Sequence, residues 1–170
     1  HGVINSLKGA ITVESEVGKG TVFRVILPTV AVEETAPAER TNAPLPQGKG
    51  CVLFVDDDRD VVQMVRQMLG ALGYQAATSS QSPDALRLFQ GNPEAFQAVI
   101  LDQVMPELTG MELAKEIHTL RPEVPILLCT GMSHSLSADQ AEILGIREVL
   151  MKPIDMRALA EALHRAMAGR

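Results

Sequence analysis

Short apolar runs alternate with amphipathic segments from residue 51 to the end of this chain, and this alternation limits the fold more than any other feature. A continuous apolar run bounded by turn residues is typical of a strand buried on both faces of a parallel sheet. Strands separated by helical patterns indicate βα units with right-handed crossovers. The five expected strands are 51–55, 75–78, 98–101, 125–129 and 148–151.

Helix-start signals fall between these strands. Ser, Thr and Asp side chains accept hydrogen bonds from the first N–H groups of a helix, and Glu or Gln three residues later completes a capping box. The expected caps are Asp58, Ser82 (followed by Pro83), Thr109 with Glu112, Ser137 with Gln140, and Asp155. The first helix is expected to end at Gly73 and to bury Val61, Val65, Met68 and Leu72. The chain is therefore predicted to be an α/β protein, a flavodoxin-like (βα)5 three-layer sandwich with parallel strand order 2-1-3-4-5.

Polar side chains stand where four of these strands end. Asp56 and Asp57 follow the first strand, Asp102 the third, Thr130 the fourth and Lys152 the fifth. The carboxyl ends of strands 1, 3, 4 and 5 are neighbours in the predicted sheet, so these side chains are expected to converge. Taken singly, each residue suits a cap, a turn or a solvated surface equally well. Their positions at successive strand ends favour a functional site.

The residue types at this edge predict phosphoryl transfer to Asp102. A carboxylate is already ionised, so Asp102 needs no general base to attack phosphorus and form an aspartyl phosphate. Lys152 is expected to bring positive charge to the phosphoryl oxygens, and Thr130 a hydroxyl that bonds to them.

Three neighbouring carboxylates repel one another unless a cation binds or their pKa values rise. A Mg²⁺ site is expected, because Mg²⁺ prefers oxygen ligands and bridges to phosphate. Asp57 and Asp102 are expected to bind the metal directly and Asp56 through water. The backbone carbonyl of Val104 is expected to supply a further ligand.

The first 50 residues divide into two parts. Apolar and polar residues alternate in 9–16 and 21–27 around the turn Gly18-Lys19-Gly20, which predicts a β-hairpin within residues 1–29. Residues 30–50 are rich in Ala, Glu, Thr and Pro and are predicted to be a linker to a folded domain at 51–170.

Charge and hydropathy narrow the expected partners. The net charge is −6 without a cluster of Lys and Arg, which argues against nucleic acid as a ligand. No apolar run approaches the ~20 residues that span a bilayer, so no direct membrane contact is expected. Cys51 and Cys129 lack metal-binding spacing and are interpreted as core residues in a reducing compartment. A cytoplasmic location is expected for this chain. This location is compatible with a parent protein that is anchored in a membrane elsewhere.

Four segments carry a family resemblance: Val55-Asp56-Asp57-Asp58, the stretch 101–110 that begins Leu101-Asp102, Leu128-Cys129-Thr130-Gly131 and Met151-Lys152-Pro153. Together they resemble the receiver domain of response regulators over about 51–170. The resemblance implies phosphoryl transfer from a phosphohistidine to Asp102 with Mg²⁺. It also implies a switch in which the Thr130 hydroxyl moves toward the phosphoryl group and the face of the fourth helix and fifth strand rearranges.

Residues 1–28 resemble the C-terminal end of the ATPase domain of a sensor histidine kinase, whose ATP-binding boxes lie outside this chain. The resemblance implies a parent hybrid histidine kinase, with a kinase core of the same or another protein as donor and a histidine phosphotransfer protein as a further partner. Whether the chain itself is an enzyme stays open. Its own histidines are interpreted as structural or surface residues: His1, His118, His134 and His164.

Two departures from the receiver pattern carry expectations. Val149 stands where the family usually has a switching Tyr or Phe, which puts the aromatic part of the switch in doubt. Val104 and Met132 are apolar at positions where polar side chains of relatives position an attacking water, so a long-lived phosphoryl group is expected. Two alternatives stay open: a Mg²⁺-dependent phosphatase of the haloacid dehalogenase type, using the Asp-x-Asp at 56–58, and a vestigial protein-interaction module.

Overall fold

A computed structural model describes residues 9–28, 44–131 and 137–168. The chain divides into two compact units, one within His1–Asn42 and one within Ala43–Arg170. The first unit contains the antiparallel strands β1 (Ala10–Glu16) and β2 (Gly20–Ile26), which confirms the predicted hairpin. Its turn contains Gly18 at φ 82° and Gly20 at φ 100°, a conformation that glycine adopts without a steric penalty.

The second unit is a doubly wound α/β sandwich. Its strands are β3 (Cys51–Val55), β4 (Gln75–Ser79), β5 (Phe96–Asp102), β6 (Ile126–Thr130) and β7 (Ile146–Met151). Its helices are α1 (Arg59–Ala71), α2 (Ser82–Gly91), α3 (Gly110–Leu120), α4 (Ala138–Ile143) and α5 (Met156–Ala168), with a 3₁₀ turn at Pro93–Ala95. The strands pair in parallel in the order β4-β3-β5-β6-β7, which confirms the predicted order and fold class.

Helices cover both faces of this sheet because successive strand residues point to opposite sides. On one face, Phe54 and Ile100 pack with buried residues of α1 and α5. On the other, Leu101 and Leu128 pack with buried residues of α2 and α3. Phe54 thus packs in one cluster, and its neighbours Leu53 and Val55 pack in the other. Both faces of the central strands are therefore buried, which explains why these strands are apolar throughout.

Most of the predicted helix caps form. The Asp58 side chain accepts hydrogen bonds from Asp60 N and Val61 N, Thr109 and Ser137 complete capping boxes, and Asp155 accepts from Arg157 N and Ala158 N. The predicted cap at Ser82 is wrong, because Gln81 is the N-cap and Ser82 is the first residue of α2. The predicted buried face of α1 is half right: Val65 and Leu72 are buried, but Val61 and Met68 are only partly buried and the adjacent Val62 and Leu69 are buried instead.

The end of the predicted linker is part of the second unit and packs against its core. Leu45 packs against the cluster beneath α1 and α5, and the Gly48 N–H donates to the Leu72 carbonyl oxygen at 2.9 Å. The Gly50 carbonyl oxygen accepts from the Gln75 N–H at 2.8 Å. Residues 30–43 of the predicted linker, together with His1, Met132 and His134, lie outside the described residues. Among the described residues, no helix has the length and hydropathy to cross a membrane.

Candidate functional site

The carboxyl end of β5 places Asp102 at the edge of the sheet. Asp102 is the last residue of β5 and is only 6% exposed, and the next N–H, that of Gln103, donates to the Cys129 carbonyl oxygen at 2.8 Å. The chain then loops out and returns, since the Gly110 N–H donates to the Gln103 carbonyl oxygen at 3.1 Å. A Cβ at position 110 would lie 2.1 Å from the Asp102 carbonyl oxygen, so this close return requires glycine.

Two more carboxylates approach Asp102 from the end of β3. Asp56 is fully buried and Asp57 is exposed. One carboxylate oxygen from each of Asp56, Asp57 and Asp102 lies within 4.8 Å of the others. The Asp58 N–H donates to Asp56 Oδ1 at 3.0 Å, which fixes the orientation of the buried carboxyl. The expected acidic cluster therefore forms, with one oxygen donor facing solvent and two enclosed.

Lys152 bridges two of the three carboxylates. Its Nζ lies 2.7 Å from Asp56 Oδ2 and 2.9 Å from Asp102 Oδ1, and its side chain is 27% exposed. The Lys152 N–H donates to the Thr130 carbonyl oxygen at 2.8 Å, so the end of β6 fixes the backbone of the lysine. Pro153 follows through a cis peptide bond. One ammonium group thus supplies positive charge to both enclosed carboxylates.

Burial and pairing shift the pKa values at this edge in ways that follow from the contacts. Burial raises the pKa of Asp56 more than the hydrogen bonds from Lys152 and the Asp58 N–H lower it. Burial opposes the charge on Lys152, but the hydrogen bonds to Asp56 and Asp102 outweigh it and raise the pKa of the ammonium group. Burial raises the pKa of the nearby Cys129 thiol to about 12, so this cysteine stays protonated and is no nucleophile.

The remaining predicted residues lie around the same edge or in its loops. Thr130 is the last residue of β6 and is 4% exposed. Val104 lies in the loop after Asp102 with its side chain 71% exposed, and Val149 on β7 is 41% exposed. Ser82 and Gly110 contribute to this edge of the sheet, although neither was predicted to do so. Ser82 contacts Pro106 and Leu108, which are so distant in sequence that no local pattern reveals the contact, whereas Gly110 stands at a helix start where a glycine is itself a signal of close approach.

The fold and this acidic edge define the second unit as a flavodoxin-like α/β domain with a carboxylate site at the carboxyl ends of its strands. Residues 52–164 match the family described as the response regulator receiver domain, and the chain belongs to that family. A solved receiver domain protein from Clostridium thermocellum has the same fold, with a TM-score of 0.66 and 30% identity over 71% of this chain and 95% of that one.

Curated relatives fall into two groups by how much of this chain they match. The transcriptional regulatory protein ZraR of Salmonella typhimurium is 35% identical over 72% of the chain and 27% of its own length. The aerobic respiration control sensor protein ArcB of Escherichia coli is 30% identical over 91% of the chain and 20% of its own length. The sensor kinase CckA of Brucella abortus is 27% identical over 94% of the chain and 18% of its own length. The chain is thus a receiver domain of two-component signalling with relatives among sensor proteins, and it spans about a quarter or less of each relative.

Proposed function

We propose that Asp102 accepts a phosphoryl group from a phosphohistidine. The observation that carries the proposal is the convergence of Asp56, Asp57, Asp102 and Lys152 at one edge of the sheet in a member of the receiver family. An Asp102 carboxylate oxygen attacks phosphorus, the P–N bond of the phosphohistidine breaks, and the imidazole leaves with the bonding electron pair. The product is an acyl phosphate on Asp102.

The oxygen donors at this edge fit Mg²⁺. Three carboxylate oxygens within 4.8 Å form the hard, anionic donor set that this ion prefers, and Asp57 is open to solvent. Asp57 and Asp102 would bind the ion directly, Asp56 through water, and the Val104 carbonyl would add a ligand. When bound, Mg²⁺ neutralises charge on the phosphoryl oxygens.

Lys152 and Thr130 stabilise the charge that develops at phosphorus. Lys152 already donates to an Asp102 oxygen, so it has a short path to a phosphoryl oxygen attached at that residue. Asp56 retains its own hydrogen bond to the ammonium group during this exchange and so holds the lysine at the site. The Thr130 hydroxyl, at the end of the adjacent strand, supplies a further hydrogen bond to the phosphoryl group.

The haloacid dehalogenase alternative finds no support at this site. It requires a second acid two residues after the first, and Asp58 instead accepts hydrogen bonds from the first N–H groups of α1. The vestigial module is retained as an outcome of the test below.

The parent protein is a hybrid histidine kinase. Residues 1–29 form the C-terminal end of its ATPase domain, 30–50 the linker and 51–170 the receiver. The matches to ArcB and CckA support this assignment because they are longer than the second unit and so extend into the first. The match to ZraR is short enough to fit within the second unit. The donor is the kinase core of the same or another protein, and a histidine phosphotransfer protein is a further partner.

Intact mass spectrometry tests this function. The purified chain is incubated with acetyl phosphate, with Mg²⁺ or with EDTA, and compared with Asp102→Asn. We expect a single phosphoryl adduct that requires Mg²⁺ and disappears in Asp102→Asn. Asp155→Asn is the matched control, because Asp155 is an exposed helix cap outside the site, and it should retain the adduct. A folded wild-type chain without an adduct, from acetyl phosphate and from a phosphorylated histidine kinase alike, would favour the vestigial module.

A further inference from the structure

We propose that Ser82 is a positioning residue for the metal site, although it lies on α2 and the predicted ligands lie at strand ends and in the loop after Asp102. Its hydroxyl fixes the tip of the loop between Asp102 and α3, and thereby the position of the Val104 carbonyl. This inference rests on the proposed Mg²⁺ site and deepens it. It predicts that the affinity for Mg²⁺ depends on a hydrogen bond remote from the carboxylates.

The tip of this loop has an unfavourable backbone conformation. Glu107 has φ 66°, and among the described residues it is the one non-glycine residue with positive φ. The Leu108 N–H donates to the Pro106 carbonyl oxygen at 2.9 Å, which closes a three-residue turn around Glu107. A γ-turn with positive φ is rare and strained, so it persists where surrounding contacts impose it.

Ser82 bonds to the same two backbone groups that close the turn. Its Oγ donates to the Pro106 carbonyl oxygen at 3.0 Å and accepts from the Leu108 N–H at 3.1 Å. Ser82 is 1% exposed, so these bonds are shielded from competing water. Because Ser82 is the first residue of α2, its position is set by a helix packed in the core rather than by the loop itself.

Among the described residues, the other contacts of the loop lie on the base side of the turn around Glu107. Gly110 N bonds to Gln103 O at the base, and Met105 is buried in the cluster beneath α2 and α3. Val104 lies between the base and the tip. If Ser82 no longer holds the tip, the turn at Glu107 is free to relax and the Val104 carbonyl samples more positions. Groups that orient a ligand raise metal affinity in this indirect way.

The test is a Mg²⁺ titration of the metal-free chain followed by amide NMR shifts, in the wild type, Ser82→Ala and Ser79→Ala. Ser79 is the matched control because its hydroxyl also bonds to a backbone N–H and a backbone carbonyl, and both belong to Gln81 rather than to the loop. We expect Ser82→Ala to weaken Mg²⁺ binding about three- to tenfold, the loss that one hydrogen bond can cause. Ser79→Ala should leave the affinity unchanged.

A second variant separates positioning from general destabilisation. Glycine at position 107 tolerates positive φ, so Glu107→Gly should permit the turn without the serine. We expect Ser82→Ala/Glu107→Gly to bind Mg²⁺ more tightly than Ser82→Ala alone. A purely structural role for Ser82 predicts no such recovery. Hydrogen exchange of the Leu108 amide gives an independent measure: it should be slow in the metal-free wild type and faster in Ser82→Ala.

The outcomes distinguish this inference from the function on which it rests. Normal Mg²⁺ binding in the wild type with unchanged affinity in folded Ser82→Ala would overturn the role of Ser82 and leave the acceptor function intact. A Leu108 amide that exchanges in the wild type like a solvent-exposed one would overturn it even if Ser82→Ala fails to fold. A wild type that binds no Mg²⁺ would overturn both.

Discussion

The N-terminal hairpin and the receiver unit differ in what their apolar side chains contact. In the hairpin, the register places Val13 opposite Phe23 and Ile11 opposite Val25 on one face, yet Phe23 is 66% exposed. In the receiver, Phe54 lies in the continuous apolar strand β3 and is fully buried. The two regions use the same residue types, and the receiver surrounds them with helices on both sides of the sheet.

Apolar residues in a strand pattern thus form a strand in both regions, but they form a buried core only where helices cover the sheet. A two-stranded hairpin is marginally stable in water without further packing, which accords with the proposal that it belongs to a larger domain. The receiver, by contrast, buries two clusters and holds charged side chains in fixed positions at one edge. A site with enclosed carboxylates requires that second kind of structure.

Truncating one phenylalanine in each region is expected to give the largest difference in the free energy of unfolding. Phe54→Ala removes a fully buried ring and should lower the free energy of unfolding by about 3–5 kcal/mol. Phe23→Ala should change it by less than about 0.5 kcal/mol, because the side chain is exposed. Urea unfolding followed by circular dichroism measures both. Similar losses from the two variants would show that the hairpin face is covered in solution.

Replacing one lysine in each region is expected to give a smaller difference in the free energy of unfolding. Lys152→Met leaves Asp56 and Asp102 without their shared cation and should lower the free energy of unfolding by about 2–3 kcal/mol in EDTA. Mg²⁺ should restore part of this loss, because binding to the folded state stabilises it. Urea unfolding with and without Mg²⁺ measures both effects.

The control for this variant is Lys19→Met in the hairpin. Lys19 pairs with Glu16, but both side chains are mostly exposed and such pairs contribute little. No measurable change is expected. If Lys152→Met also left the free energy of unfolding unchanged in EDTA, the bridging ammonium group would not stabilise the two enclosed carboxylates.

The smallest effect is a pH dependence from Asp56. Burial raises its pKa in the folded state above the ordinary value of 3.8, so the folded chain holds this proton more tightly than the unfolded chain does. The resulting contribution to stability is present below pH 3.8 and is lost as the pH rises through the folded pKa. In EDTA, the unfolding free energy of the wild type minus that of Asp56→Asn should therefore fall with rising pH. Urea titrations between about pH 4 and 7 measure it; a difference that rises would contradict the direction of the shift.

The sequence predicted the fold because each local signal agreed with the others. Asp58 and Thr109 cap the helices that they precede, and the strand order follows from five βα units with one handedness. The residues of the acidic edge were predictable for the same reason, since parallel strands bring their carboxyl ends together. Their roles in phosphoryl transfer and Mg²⁺ binding stay predictions.

Contacts between residues that are distant in sequence could not be predicted from the sequence pattern. Lys152 was expected to face the phosphoryl group, and its bridge between Asp56 and Asp102 depends on side-chain distances that no spacing reports. Ser82 resembled a helix cap because Pro83 follows it, but its hydroxyl bonds to a loop 24 residues away. On α1, Val61 was predicted in place of Val62 because the two valines fit the periodicity almost equally well.

Locating the modified residue shows directly whether Asp102 is the phosphoacceptor. The chain is phosphorylated with acetyl phosphate and Mg²⁺, and borohydride then reduces the acyl phosphate to an alcohol, which turns an aspartyl phosphate into homoserine. Peptide mass spectrometry reads the position. The account predicts homoserine at position 102 alone, and none there when Mg²⁺ is withheld. Homoserine at position 56 or 57 with Asp102 unmodified would contradict it.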